Sequence, residues 1–569
     1  MPDPGPFQLH SETVGALPIV NHFLSRMGLV ESLDRHVPND DARLRFAPAV
    51  VIGLVVRNLI VAHRPVYALS EWAAPYDAGL FGLATGEPAA LNDDRVGRML
   101  DRLFDADRAT LVTEVVLRAV REFGVELSQL HNDSTTITFS GAYKTATGRQ
   151  RGGKATPAIT WGHNKDHRPD LKQLLWILTI SADGAVPIAY RTADGNTSDD
   201  VTHMPTWDEL VALVGRPDFL YVADCKLCSA EAMGHIAAGG GRFVTIVPRS
   251  RREDTWFRDW AQTHAPDWAE AHRRPGARIG DPDEVWRTAL APMPSAEGHR
   301  IIWVHSSTKA ARDANARGAR VEAGLAAIDT VAARLASPKT RLKTRVTAEA
   351  AATAGLLAAG AARWVGFTVG ETLTETFRQE RRGRPGGQTR YRRQTKTAFT
   401  ITAVTRADTI AYDAATDGCF PLITNDITLT PAEVLAAYRY QPNLERRNHM
   451  LKGPQEVAPV YTHTPERIEA LLLCQFLAML THALIERDIR AAMKTAELTN
   501  IPLYPELRAC PAPSAPRVLE IFNGVARHHL LSNRQPVQTF EPTLTPLQQQ
   551  VLDLLHIPTS AYIRPPAGL

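Results

Sequence analysis

The sequence predicts an α/β protein, a mixed sheet flanked by helices, with a helical segment before it and a large α+β insertion within it. Three observations predict this class. From Ser11 to about Phe123 apolar residues recur at helical spacing. From about Leu127 short apolar runs follow one another and then alternate with helical stretches. That pattern breaks between about Ser250 and Gly418 and resumes at Phe420.

Taken in order, the helical segment contains Ala49 to Ala62, with Pro48 at a first-turn position, and an amphipathic run from Arg108 to Phe123. It is expected to form a domain over residues 1–126, whose helices are candidates for reading a major groove or for dimer contacts. Strands are expected at Gln129 to Ile137, Leu171 to Ser181, Val186 to Arg191, Phe219 to Ala223 and Arg242 to Val247, with helices at Val201 to Val214 and Ser229 to Ala238. A meander followed by strand-helix alternation is the order of an RNase H-like core, here residues 127–250. In that order the first and fourth strands are neighbours, so Asp133 and Asp224 would meet. Residues 251–419 form the insertion: a Trp-rich segment, an Ala-rich helical stretch, and two strand-like runs around a Gly, Pro and Arg-rich loop. Core residues 420–500 follow. Thr430-Pro431-Ala432-Glu433 reads as a capping box leading a helix toward Glu445, with a kink or restart at Pro442 and Asn443 as cap. Arg467 to Met493 reads as a long helix, and residues 501–569 as a loose, Pro-rich tail with a short helix at Pro546 to Leu555.

At 569 residues the chain is expected to hold two to four domains. A hydrophobic share of 44% and a charged share of 22% fit a globular protein. The net charge of +3 hides a basic stretch, Arg378 to Lys396, with eight basic residues against one acidic. Its Arg382, Arg384, Arg390, Arg392 and Arg393 are candidates for DNA phosphate contacts, and Gly383, Pro385, Gly386 and Gly387 give that tip freedom to follow a backbone. Five scattered cysteines point to a reducing compartment. Cys225 and Cys228 offer only half of a zinc site, so packing behind a strand is expected of them. The amino terminus lacks the basic-then-apolar order of a signal peptide. The apolar stretches Ala47 to Ala62 and Ala470 to Leu480 are interrupted by polar residues and read as buried helices.

Glu445 and Lys452 are seven residues apart, so on a helix they share a face about 10 Å apart. A carboxylate able to hold a metal, with an ammonium further along the same face, suits the handling of a phosphodiester. Asp133 and Asp224, each where a strand is expected to end, supply two more carboxylates. Three carboxylates converging on two magnesium ions would serve in-line displacement at phosphorus.

The run Tyr438, Glu445, Lys452 fits a Tyr-x2-Arg-x3-Glu-x6-Lys signature, except that Gln441 stands at the arginine position. In this the chain resembles the DDE transposases of bacterial insertion sequences, in the insertion-sequence-4 superfamily. The Tyr-Gln-Pro approach to the glutamate, the loop Lys165 to Gln173 and Gly195-Asn196 place the resemblance closest to the insertion-sequence-1634 group. It implies Asp133, Asp224 and Glu445 as metal ligands and catalytic residues, with two Mg2+ ions for which Mn2+ would substitute. Tyr438 and Lys452 would hold phosphate, and Arg439, Arg446 or Arg447 would supply the charge absent at Gln441. It further implies terminal inverted repeats and target DNA as partners, a homodimer in the DNA complex, a bacterial cytoplasmic setting at the nucleoid, and cut-and-paste movement through a hairpin. Related enzymes hold a flipped base with a tryptophan of the insertion, for which Trp256, Trp260, Trp268, Trp286, Trp303 and Trp364 are available. A nuclease on the same core and a catalytically silent DNA-binding derivative are the alternatives.

Overall fold

The computed structural model describes residues 7–276, 278, 280–452, 464–533 and 535–563. The chain divides into two compact units, Met1–Thr245 with Ala436–Leu569, and Ile246–Leu435.

The first unit is built on five strands: β1 (Gln129–Phe139), β2 (Lys172–Ser181), β3 (Pro187–Asp194), β4 (Leu220–Ala223) and β5 (Arg242–Ile246). They lie in the order β3-β2-β1-β4-β5. β2 runs antiparallel to β1 and β3, whereas β4 runs parallel to β1 and to β5. The helix α1 (His203–Val214) carries the chain from β3 to β4, and α2 (Ala230–Ala238) carries it from β4 to β5. Strands β2 and β4 are buried almost throughout, because both faces of the sheet are covered, and this is why they read as continuous apolar runs.

Around the sheet pack α3 (Gln441–Lys452) and α4 (Pro465–Thr495), together with helices from the amino-terminal third, Pro48–Val61 and Asp93–Asp105, which both touch α4. From Pro465 to Glu486 nearly every residue of α4 is buried, as expected of a helix that is apolar all round. It is long and apolar enough to cross a membrane, and its whole apolar window lies inside the protein. The amino-terminal helices thus share a compact unit with the core rather than standing apart as residues 1–126.

Both ends of the chain differ from the expectation. Residues Phe7–Thr13 form a strand where the helical reading began at Ser11, and they pair with Ala526–Ser532, which pairs in turn with Gln535–Phe540. Residues 501–569 are therefore no loose tail. Their prolines include helix starters, at the first turns of Ala515–Glu520 and Pro546–Leu554. Buried Arg527 pairs with Asp77 at 2.8 Å and ties this segment to the amino-terminal helices.

In the second unit an antiparallel run of Cys419–Thr424, Arg300–Ser306, Glu284–Leu290 and Ala269–Arg274 is accompanied by helices Ser307–Ala336 and Arg345–Ala358. Cys419–Thr424, expected to resume the core, follows Arg242–Ile246 in the strand order and has six partners in Arg300–His305 on its other edge. The capping box forms as read, with Thr430 and Glu433 bonding reciprocally. Trp256, Trp260 and Phe257 gather around buried Trp303, and Trp364 donates its indole N–H to Asp413 at 2.7 Å. None of the six insertion tryptophans is exposed, which is the packing expected of large aromatics.

Candidate active site

Parallel pairing of β1 with β4 sets Asn132 against Ala223, so Asp133 and Asp224 are the next residues along adjacent strands. Asp224 leaves β4 in extended backbone, and its carboxylate accepts a hydrogen bond from Lys226 N at 3.0 Å. Asp133 stays within β1. Burial pushes its carboxyl up to about 7; Lys165 opposes that rise and the carboxylates of Asp224 and Asp199 add to it.

Lys165 is the cation of this cluster. Its Nζ lies 2.9 Å from Asp199 Oδ2 and 3.9 Å from Asp133 Oδ1, and donates to Ser134 O at 2.6 Å and Ser134 Oγ at 2.8 Å. Its loop is fixed by a close approach. Gln173 Nε2 donates to Gly195 O at 2.7 Å, and a Cβ on Gly195 would fall 2.0 Å from Gln173 O, so only glycine fits. On the other side stands buried His203, whose Nε2 is 3.9 Å from Asp224 Oδ1 and has no hydrogen-bond partner among the described residues. Its Nδ1 meets Tyr221 Oη at 3.2 Å, and burial lowers its pKa. Asp199 and His203 were not singled out from sequence; both sit at the entry to α1, where an acid or a histidine looks like an ordinary first-turn residue.

The helix toward Glu445 breaks near Pro442 as expected: it stops at Tyr438 and restarts as α3 at Gln441, with Pro442 in the new first turn. There proline costs nothing, because first-turn N–H groups lack helical partners. Asn443 does not cap it; its side chain donates back to Tyr440 O at 3.1 Å. Tyr438 is the group that gathers the site. Burial raises its phenol to about 12, and Asp224, Cys225, Glu445 and Asp133 all add to that rise. Glu445 itself is exposed on α3.

Gln441 belongs to the scaffold. Its side chain is buried, with Oε1 2.8 Å from His131 Nδ1 and Nε2 donating to Asn132 O at 3.2 Å. His131 Nε2 accepts from Gln129 Nε2 at 2.8 Å, so the ring proton belongs on Nδ1, facing Gln441. Burial holds the ring neutral by lowering its pKa to about 4. Gln441 thus clamps the first turn of α3 to the residues just before Asp133. Farther along α3, Arg447 is buried and ion-paired to Glu486 at 2.8 Å, which rules it out as the missing phosphate contact. Lys452 is held by Asp166, at 2.6 and 2.8 Å to its two oxygens. Arg446 is exposed and Arg439 half-buried. Arg382, Arg384, Arg390 and Arg392 are exposed in the second unit, where Arg393 pairs with Glu375 at 2.6 Å.

The donor set of Asp133, Asp224 and Glu445 is all oxygen, as a hard divalent cation prefers, and burial first, then the nearby carboxylates of Asp224 and Asp199, raise the affinity of Asp133 for positive charge. As the described side chains stand, no three His, Cys, Asp or Glu converge closely enough to hold a metal ion. The five cysteines are all free.

Residues 9–117 match the model of a domain of unknown function, DUF4277. No curated protein matches the chain. Among solved structures, one match is a cryo-EM structure of piggyBac transposase, a synaptic complex with hairpin DNA, at 11% identity and a TM-score of 0.27. The match covers 52% of this chain and 60% of that one, a likeness too slight to define either fold or activity here.

Proposed function

We propose that this chain is a transposase of the DDE type, cutting DNA at the ends of its own element and joining the exposed 3′-hydroxyls to target DNA, on an RNase H-like core. The observation that carries the reading is the meeting of Asp133 and Asp224 on adjacent parallel strands beside Tyr438, whose phenol also feels Glu445. The strand order β3-β2-β1-β4-β5 supports the choice of core.

Asp133, Asp224 and Glu445 would hold two magnesium ions, which would supply Lewis-acid activation of the attacking oxygen and stabilise the leaving one. The remaining roles fall to other side chains. Tyr438 keeps its proton near neutral pH and donates it in a hydrogen bond to a phosphate oxygen. Lys452 serves as a point charge for the next phosphate once Asp166 releases it. Lys165, between Asp199 and Asp133, screens the repulsion of their carboxylates. Gln441 and Arg447 fix α3, and with it the position of Glu445. Two copies of the chain would pair the two ends of the element.

The test is a reaction with magnesium, labelled duplexes carrying the element's ends and a target plasmid, run on wild type, Asp133→Asn and Glu445→Gln. Strand-transfer products from wild type alone support the proposal. Cleavage without joining moves the assignment to a nuclease, and binding without cleavage moves it to a silent DNA-binding protein.

A further inference from the structure

Strands Val365–Gln379 and Tyr391–Thr405 form a two-stranded ribbon in continuous register from Val365↔Thr405 to Gln379↔Tyr391. Side chains alternate between its two sides, and directly opposed residues share a side. The side bearing Val365 and Ile401 packs at its base into a small core with Ile328, Val331 and Leu356. Farther out, this same side carries Glu371 and Glu375, and here Arg393 finds its ion pair.

The opposite side is chemically different. It presents Thr372↔Ala398, Thr374↔Lys396, Thr376↔Gln394 and Arg378↔Arg392, all exposed, and no carboxylate lies on it anywhere from Gly366 to Arg378 or from Arg392 to Val404. Arg378 and Arg392 face each other directly. Like charges so placed cost stability in a ribbon, and no acid on that side lies within the paired strands; the next one, Glu380, sits beyond them opposite Arg390. A polyanion would relieve the repulsion. The exposed stretch of this side from Thr372 to Arg378 is roughly 20 Å long at strand rise, enough to span several phosphates of a duplex. Hydroxyl and guanidinium donors are the groups that contact DNA backbone without reading sequence.

We propose that this Thr and Arg-rich side of the ribbon is a sequence-independent binding surface for the sugar-phosphate backbone of duplex DNA, with Arg378, Arg392 and Lys396 as its cations. It rests on the reading that the chain acts on DNA, and it places Arg393 outside the contact.

The test uses the full chain and a labelled duplex of random sequence, with anisotropy titrations over a salt series. The variant Arg378→Ala/Arg392→Ala/Lys396→Ala is compared with wild type and with Arg393→Ala, and circular dichroism checks that all three fold. The triple variant is expected to bind at least tenfold more weakly at moderate salt and to lose about 2 to 3 from the slope of log affinity against log salt, at about 0.9 per lost phosphate contact. Arg393→Ala is expected to keep the wild-type slope. A wild-type slope in the triple variant, or an equal loss in Arg393→Ala, overturns the surface while leaving transposition intact. Failure of wild type to bind any duplex removes both proposals, and tighter binding of single-stranded RNA than of duplex DNA overturns the choice of partner.

Discussion

Replacing Arg447 by methionine separates an anchoring role from a phosphate-binding one. Arg447 Nη2 donates to Glu486 Oε2 at 2.8 Å and to Gly184 O at 3.3 Å, and Nε donates to Ala185 O at 3.1 Å. The two side chains are only 3% and 8% exposed, so methionine would strand a buried carboxylate together with two backbone acceptors. Removing one partner of such a pair costs roughly 3 to 5 kcal/mol. Arg490, 3.6 Å from Glu486, offsets part of this and favours the lower end of the range. The urea midpoint, followed by circular dichroism, should fall accordingly with an unchanged slope. Replacing both members, Arg447→Met/Glu486→Met, should recover most of the loss, because no unpaired charge then remains. Recovery will be incomplete, since Ala515 N loses its acceptor on Glu486 Oε1. An unchanged midpoint in Arg447→Met, with a salt slope of DNA binding reduced by about 1, would refute the anchoring role and return Arg447 to the phosphate.

Gln441→Ala should cost about 1 to 3 kcal/mol in the same unfolding measurement, because the His131 N–H and the Asn132 carbonyl lose their buried partner. Gln441→Arg, which restores the residue of the signature, should destabilise at least as much, since a guanidinium cannot accept the His131 proton; a more stable or more active Gln441→Arg protein would show that this position faces DNA. A pH effect is expected from His482, buried in α4 with Nε2 donating to Ile60 O at 3.1 Å. Burial lowers its pKa to about 4 from an ordinary 6.5, and Glu486 only partly opposes this. The folded state therefore favours the neutral ring. Its contribution, roughly 3 kcal/mol, is complete above pH 6.5 and is lost as the pH falls toward 4. Unfolding at pH 7 and pH 4.5 should show a smaller acid loss in His482→Gln than in wild type, and equal losses would exclude His482 as a source of acid sensitivity.

The core strands were legible because they are covered on both faces. Leu174 to Leu178 and Leu220 to Ala223 are unbroken apolar runs, a signal that survives without knowledge of the neighbours. Phe7–Thr13 had no such signal. Its residues are mostly exposed and polar, and it is a strand because Ala526–Ser532, more than five hundred positions away, supplies its hydrogen bonds. Proline misled at the carboxyl end, where counting it as a breaker hid its use as a helix starter.

The site divides along the same line. Asp133 and Asp224 could be paired from sequence because the strand order makes β1 and β4 neighbours, although Asp133 lies within β1 and not at its end as expected. What the carboxylates face could not be paired that way. Gln441 looked like a lost arginine because its partner His131 lies 310 positions upstream, and the exchange only makes sense once the first turn of α3 is seen packed on β1. A signature position next to a catalytic residue can therefore hold the scaffold instead of the substrate, and burial distinguishes the two. Phosphate ligands must reach solvent, as exposed Arg446 does, whereas Gln441 and Arg447 do not. Arg446 and half-buried Arg439 meet that criterion and Arg447 does not, whereas Lys165 and His203 are tied to the site by distance, each 3.9 Å from one of the two aspartates.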